Sequence, residues 1–235
     1  MKNSVCIATY NGEKYIREQI ASILPQLQAG DEIIISDDHS TDQTLEIIKS
    51  FKDNRLKIVF NETEKGYTNN FENAIKHASG DFIYLSDQDD VWLPNKVAVY
   101  SQEFQNYDFL ASNAKIVGEN LESTDNQTYF DLRGTSSGFL SDLIKAKSLG
   151  CCMAFNRKVL TKILPFPKNK DLCPHDLWIL LMSEFYFKSK IIKEPLILYR
   201  RHEQTASTGG KHTNNTLLFM LKFRLYALFQ VLTRM

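Results

Sequence analysis

The stretch Glu32–Ser36, EIIIS, constrains the fold more than any other part of the chain. It is a short unbroken apolar run followed by the acidic pair Asp37 and Asp38, the pattern of a strand buried on both faces of a parallel sheet. Three further runs resemble it: SVCIAT near the start, LKIVFN from Leu56, and FIYLS from Phe82. Apolar residues at helical spacing fall between them, first Ile16, Ile20, Ile23, Leu24 and Leu27, then Leu45, Ile47 and Ile48, then Phe71, Ala74, Ile75 and Ala78. Ser40 and Gln43 have the spacing of a capping box opening the second of these helices. Strand and helix signals that alternate in this way predict stacked βαβ units.

Beyond about residue 107 the pattern is less regular. FLASNAKIVG reads as a strand, 118–136 as a polar loop, CCMAFN as another strand, RKVLTKIL as a short helix ended by Pro165, and HDLWILLMSEF as a helix beginning at His175 and Asp176. The chain divides into a first half, 1–107, a second half of the same domain, 108–212, and a C-terminal amphipathic helix, 213–235. In that tail Leu218, Leu221, Leu225, Leu228 and Leu232 form a stripe, with Lys222, Gln230, Thr233 and Arg234 mostly off it. Lys222 and Arg224 interrupt the apolar run and argue against a transmembrane helix. Two readings stay open: a helix packed on its own domain or on a second copy, and an interfacial helix on an anionic membrane, which the absence of acids after Glu203 favours.

With 235 residues the chain is long enough for a core without disulfides or structural metal. Its charged residues balance to a formal net charge of zero, which argues against a broad polyanion-binding surface and hence against a nucleic-acid partner. Cys6, Cys151, Cys152 and Cys173 have neither CxxC spacing nor a histidine pattern suited to zinc, and are expected as core thiols of a reducing compartment. MKNSVC runs straight into the first strand without a secretory signal, so the expected location is cytoplasmic.

Three polar segments end the strands: TYNGE after the first, ISDDHSTD after the second, and SDQDDVW after the fourth. Open α/β sheets bind ligands at the carboxyl ends of their strands, so the three converge on one rim. Asp87, Asp89 and Asp90 do not make a calcium loop, because Trp92 and Ala98 stand where an EF-hand needs Gly and Glu. TYNGEKY lacks the glycine pattern of a dinucleotide fold. The remaining reading gives Asp87 and Asp89 to a Mg²⁺ or Mn²⁺ ion shared with substrate phosphates.

VCIATYNGEKY, IIISDDHSTDQT, NETEKGYTNNFENAIKHASGDFIYLSDQDDVW, CCMAFN, PHDLW and LYRRH, in that order, resemble the family 2 glycosyltransferases, in particular the rhamnosyl- and hexosyltransferases of bacterial surface polysaccharides. The resemblance runs from about residue 4 to 205 and implies a GT-A fold, a Rossmann-like, mostly parallel central sheet flanked by helices. It implies that Thr9, Tyr10 and Glu13 line a nucleotide pocket, that Asp38 accepts from a pyrimidine N3–H, and that Asn70 contacts the nucleoside. Asp37 is expected to be structural. Asp87 would face the ribose or sugar and Asp89 would bind the metal, with His202 completing the metal site. Arg200 and Arg201 would meet the diphosphate, or else form surface ion pairs, and Asp176 would be the catalytic base; His175 precedes it where many relatives carry Glu. The implied activity is metal-dependent, inverting transfer of rhamnose, galactose or glucose from a UDP- or dTDP-sugar to a glycan acceptor, expected to be lipid-linked. A non-catalytic nucleotide-sugar-binding subunit and a polyprenyl-phosphate sugar synthase are the alternatives.

Overall fold

The computed structural model describes residues 1–135, 138–202 and 216–234. Its first half is β1 (Asn3–Thr9), α1 (Ile16–Ile23), β2 (Glu32–Asp37), α2 (Thr44–Ser50), β3 (Leu56–Phe60), α3 (Tyr67–His77) and β4 (Phe82–Ser86). There follow β5 (Val91–Trp92), α4 (Lys96–Glu103), β6 (Phe109–Val117), β7 (Ser123–Thr128), α5 (Tyr129–Arg133), α6 (Phe139–Ile144), β8 (Met153–Asn156), α7 (Leu160–Ile163), α8 (His175–Tyr186), β9 (Ser189–Arg200) and α9 (Leu217–Leu232). One sheet runs β3-β2-β1-β4-β8-β6-β9-β5, with β7 on β6. The first four strands are parallel, β8 joins β4 antiparallel, and β6 and β9 are again parallel to each other.

The uninterrupted isoleucines of β2 follow from burial on both faces. Ile33 and Ile35 belong with Val5, Ile7, Ile16, Ile20, Ile48 and Tyr100 on the side covered by α1, α2 and α4. Ile34 belongs with Cys6, Phe71, Ile75, Ile83, Leu85 and the apolar face of α8 on the other. All four cysteines are buried free thiols.

Several elements differ from the sequence expectation. The 118–136 stretch contains β7 and α5. Thr128 and Asp131 form a capping box there, and Tyr129 and Phe130 are buried, so a local cap and two aromatic anchors give order to a polar segment. Ser40 does not cap α2: its hydroxyl donates to Asp37, and the helix begins one residue after Gln43, whose N–H donates to Glu13. The tail helix is present, but its leucine stripe is not its docked face. Ala227 and Val231 sit in the core beside α8, while Leu218, Leu221, Leu225 and Leu232 are exposed. The proposed boundary between 212 and 213 lies outside the described residues, and the sheet continues across the boundary at 107 and 108 through the β4–β8–β6 pairings. No described helix is long and apolar enough to cross a membrane.

Ile34, on β2 between β1 and β3, is 1% exposed. Ile34→Ala should cost about 2–5 kcal/mol, measured as a lower urea midpoint with an unchanged slope.

Candidate active site

The carboxyl ends of β1, β2 and β4 lie side by side because these strands are parallel neighbours in register, Thr9 opposite Asp37 and Ile7 opposite Ser86. Asp37 is fully buried and accepts from Thr9 Oγ1 at 2.9 Å, Ser40 N–H at 2.8 Å and Ser40 Oγ at 2.6 Å. Asp38 accepts from Asn61 Nδ2 at 2.9 Å and from the Gly66 N–H at 2.7 Å, and so holds the loop that leads into α3. Gly66 has φ of 131°, a conformation that side chains with a Cβ rarely adopt. Asn70 donates to the Thr9 carbonyl at 3.0 Å, and its buried Oδ1 is without a partner. Thr9 and Asn70 are thus the floor of the rim, whereas Tyr10 is 50% exposed above it. Glu13 is exposed and accepts from the Gln43 N–H at 2.9 Å.

The acidic loop after β4 is held by Arg200, at the end of β9. The Arg200 N–H donates to Asp90 at 3.1 Å and Nε donates to the Asp89 carbonyl at 2.7 Å. One terminal nitrogen reaches the Glu119 carbonyl and the other the Glu18 carboxylate, each at 2.5 Å, with the guanidinium centre 4.9 Å from the Tyr15 ring centroid. At 3% exposure Arg200 is an internal strut, paired with Glu18, rather than part of a surface ion pair. The Arg201 N–H donates to the Val117 carbonyl, which continues the β9–β6 pairing. Two residues past Arg200, His202 Nε2 lies 2.8 Å from Asp89 Oδ2, and the imidazole sits beside the Tyr15 ring.

Below the acidic loop lies a group that sequence reasoning missed. Lys96 is fully buried, with Nζ 4.0 Å from the Trp92 ring centroid and donating to the Cys151 carbonyl at 2.9 Å. Burial pulls its ammonium down to about 8, against the opposing influence of Cys152, Cys151, Asp90 and Asp87. The only sequence signal was its place four residues after Trp92. Asp87, Asp90 and Cys151 bring ligand atoms within 4.8 Å of one another. Burial, then Asp89 and then Asp176, push the Asp87 carboxyl up to about 7, and burial and the two neighbouring aspartates hold Asp90 well above the usual range.

Asp176 occupies the first turn of α8, with Oδ1 accepting the Leu177 N–H at 2.7 Å. It lies against Gly150, whose neighbour Cys151 is grouped with Asp87 and Asp90. His175 is buried against Phe71, at 4.3 Å between ring centroids, and neither ring nitrogen has a partner; burial keeps it neutral by lowering its pKa. Gly150 explains how α8 comes so close: a Cβ there would lie 2.9 Å from His175 Nε2 and 3.3 Å from Asp176 Cβ.

These donors fit a hard divalent cation. Asp89 and His202 present an oxygen and a nitrogen side by side, and Asp87 belongs to a carboxylate group raised by burial and then by neighbouring negative charge, both of which a cation would offset.

Residues 4–164 match the family described as Glycosyl transferase family 2. The chain is 35% identical over 190 residues to the UDP-Glc:alpha-D-GlcNAc-diphosphoundecaprenol beta-1,3-glucosyltransferase WfgD of Escherichia coli, covering 77% of this chain and 70% of that one. It is 32% identical over 217 residues to the dTDP-rhamnosyl transferase RfbG of Shigella flexneri, covering 84% and 72%. Among solved structures, S. aureus TarS 1–349 in complex with UDP-GlcNAc superimposes with a TM-score of 0.71 at 22% identity over 99% of this chain. The mannosyltransferase PcManGT from Pyrobaculum calidifontis, in complex with GDP-Man and Mn²⁺, gives 0.62 at 16% identity over 99% of this chain and 73% of its own. The chain spans 60% to 67% of the TarS 1–349 chains. These likenesses show a GT-A fold.

The raised carboxyls set a pH dependence. Between the ordinary aspartate value of 3.8 and about 7, the metal-free native state keeps a proton at Asp87 that the unfolded chain has lost, so stability falls as pH rises through that window. Thermal melts should give a lower midpoint at pH 8 than at pH 5, with Mn²⁺ restoring more at pH 8; Asp87→Asn should flatten both trends.

Proposed function

The chain belongs to glycosyl transferase family 2, and on that premise we propose that it moves a hexose or deoxyhexose from a pyrimidine nucleotide-diphosphate sugar to a lipid-linked glycan acceptor, with inversion at the anomeric carbon. The observation that carries this reading is the approach of His202 to Asp89, 2.8 Å apart across 113 positions of sequence, in a loop that Gly150 and Cys151 join to Asp176. Asp89 and His202 would hold Mn²⁺ or Mg²⁺, with Asp87 beside them toward the sugar. When bound, the cation supplies positive charge to the departing diphosphate. Tyr10 and Glu13 line the nucleotide side, and Thr9, Asp38 and Asn70 fix the floor and loop against which the base lies. Arg201 is the arginine we assign to the diphosphate side.

Asp176 takes the proton of the acceptor hydroxyl as its oxygen attacks the anomeric carbon; the bond from that carbon to the diphosphate breaks, and the nucleoside diphosphate leaves with the electron pair. The buried His175 beside it packs on Phe71, and burial disfavours its charged form. UDP-glucose and dTDP-rhamnose are the donor candidates favoured by the names of WfgD and RfbG, and a diphosphoundecaprenol acceptor is favoured by the first.

A cytoplasmic enzyme peripheral to the inner face of the membrane fits this acceptor. Leu218, Leu221, Leu225 and Phe229 of α9 are exposed, Lys222 lies among them, and the helix has no acidic residue. A homodimer through the same face is the competing arrangement.

Two substitutions separate the roles. Asp176→Asn should keep Mn²⁺-dependent binding of the donor while turnover falls about 10²–10⁴-fold. Asp89→Ala should lose the metal-dependent part of nucleotide binding, read by calorimetric titration of UDP and dTDP. Near-wild-type turnover in Asp176→Asn would remove it as the base.

A further inference from the structure

The β1–β4 backbone ladder stops at the Ile7–Ser86 pair. Past that point the side chain of Gln88 takes over. Its Oε1 accepts the Tyr10 N–H at 3.0 Å and its Nε2 donates to the Tyr10 carbonyl at 3.1 Å. One amide thereby satisfies both polar backbone groups of a residue beyond the ladder, as a neighbouring strand would. Gly12 is the matching feature on the other loop: a Cβ there would come within 2.4 Å of Gln88 Oε1 and 2.7 Å of its Cδ. A side chain at position 12 and this amide cannot occupy the same space.

The two joined loops carry different parts of the site. Tyr10 and Glu13 stand on one; Asp87 and Asp89 flank Gln88 on the other. On its far side the first loop is already tied to the start of α2, through Asn11 N–H to Ser40 Oγ, Gly12 N–H to Thr44 Oγ1 and Glu13 N–H to Asp42. Gln88 ties its near side to the acidic loop.

We propose that Gln88 is a positioning residue that couples nucleotide binding to metal binding by locking the Tyr10–Glu13 loop to the Asp87–Asp89 loop, with Gly12 kept small to admit its amide. This rests on the nucleotide and metal assignments above. Without the clamp each loop still forms, but occupancy of one no longer sets the position of the other. The quantity that changes is the factor by which Mn²⁺ strengthens UDP binding.

The test measures UDP affinity by calorimetry, with Mn²⁺ and with chelator, in the wild type, Gln88→Met and Gly12→Ala. Methionine keeps the unbranched shape and removes the amide. Alanine at 12 leaves Gln88 chemically intact and displaces its flexible end. Both variants should lower the ratio of the metal-free to the metal-loaded Kd about tenfold, with metal-free melting temperatures near that of the wild type. A purely structural role would lower the melting temperature and leave the ratio alone. Variants that keep the wild-type ratio, or that weaken both affinities equally, overturn the coupling. A wild type with no Mn²⁺ enhancement overturns the nucleotide–metal reading itself and the coupling with it.

Discussion

Arg200 is the residue through which distant segments become one site. Its backbone and guanidinium reach Asp90, the Asp89 carbonyl, the Glu119 carbonyl and Glu18, and its plane lies by Tyr15. A guanidinium at 3% exposure is tolerable because each of its three nitrogens donates to an acceptor and a carboxylate balances it. The consequence is positional. The chain leaves β9 with its next residues held against the acidic loop, so His202 meets Asp89 without having to be ordered by a ligand. Lys96 acts from beneath, placing a second buried cation near Asp87 and Asp90. Three carboxylates within four residues are thus held between two cations, and the open side of the loop is where a third positive charge fits.

The sheet supplies the geometry for this arrangement. Its parallel part places β1, β2 and β4 so that their carboxyl ends form the rim, and the antiparallel pairing of β8 with β4 puts the start of β8 at the same edge. The short turn Gly150–Cys152 before β8 then lies between the acidic loop and α8. Cys151 touches the first, and Gly150 gives His175 and Asp176 room beside the second. Asp176 and the acidic loop are therefore parts of one packed unit, although 86 positions separate Asp90 from Asp176.

The parts legible from sequence are those decided locally. Ile33, Ile34 and Ile35 announce a strand covered on both faces because each side has its own core, and the helical spacing of Ile16, Ile20 and Ile23 announces the face α1 buries. Ser40 was misread: its spacing to Gln43 suggests a helix cap, but Asp37, three residues earlier at the strand end, takes its hydroxyl and N–H. Arg200 was not legible. Its type suits a diphosphate as well as an internal pair, and the choice is made by Glu18 and Glu119, far from it in sequence. Lys96 was missed for the same reason: a lysine after Pro94 and Asn95 reads as a solvated helix start until Trp92 and Cys151 close over it. In α9 the periodicity was real, but a helix apolar on two faces does not disclose which one docks.

The central claim is that Asp89 and His202 form the metal end of a nucleotide-diphosphate clamp. Anomalous diffraction from crystals of the chain grown with UDP and Mn²⁺ addresses it most directly. The expected result is a manganese peak within bonding distance of Asp89 Oδ2 and His202 Nε2, with UDP bound beside it. A peak at the Asp87, Asp90 and Cys151 group instead, or UDP bound on the rim with no manganese beside Asp89, would contradict it.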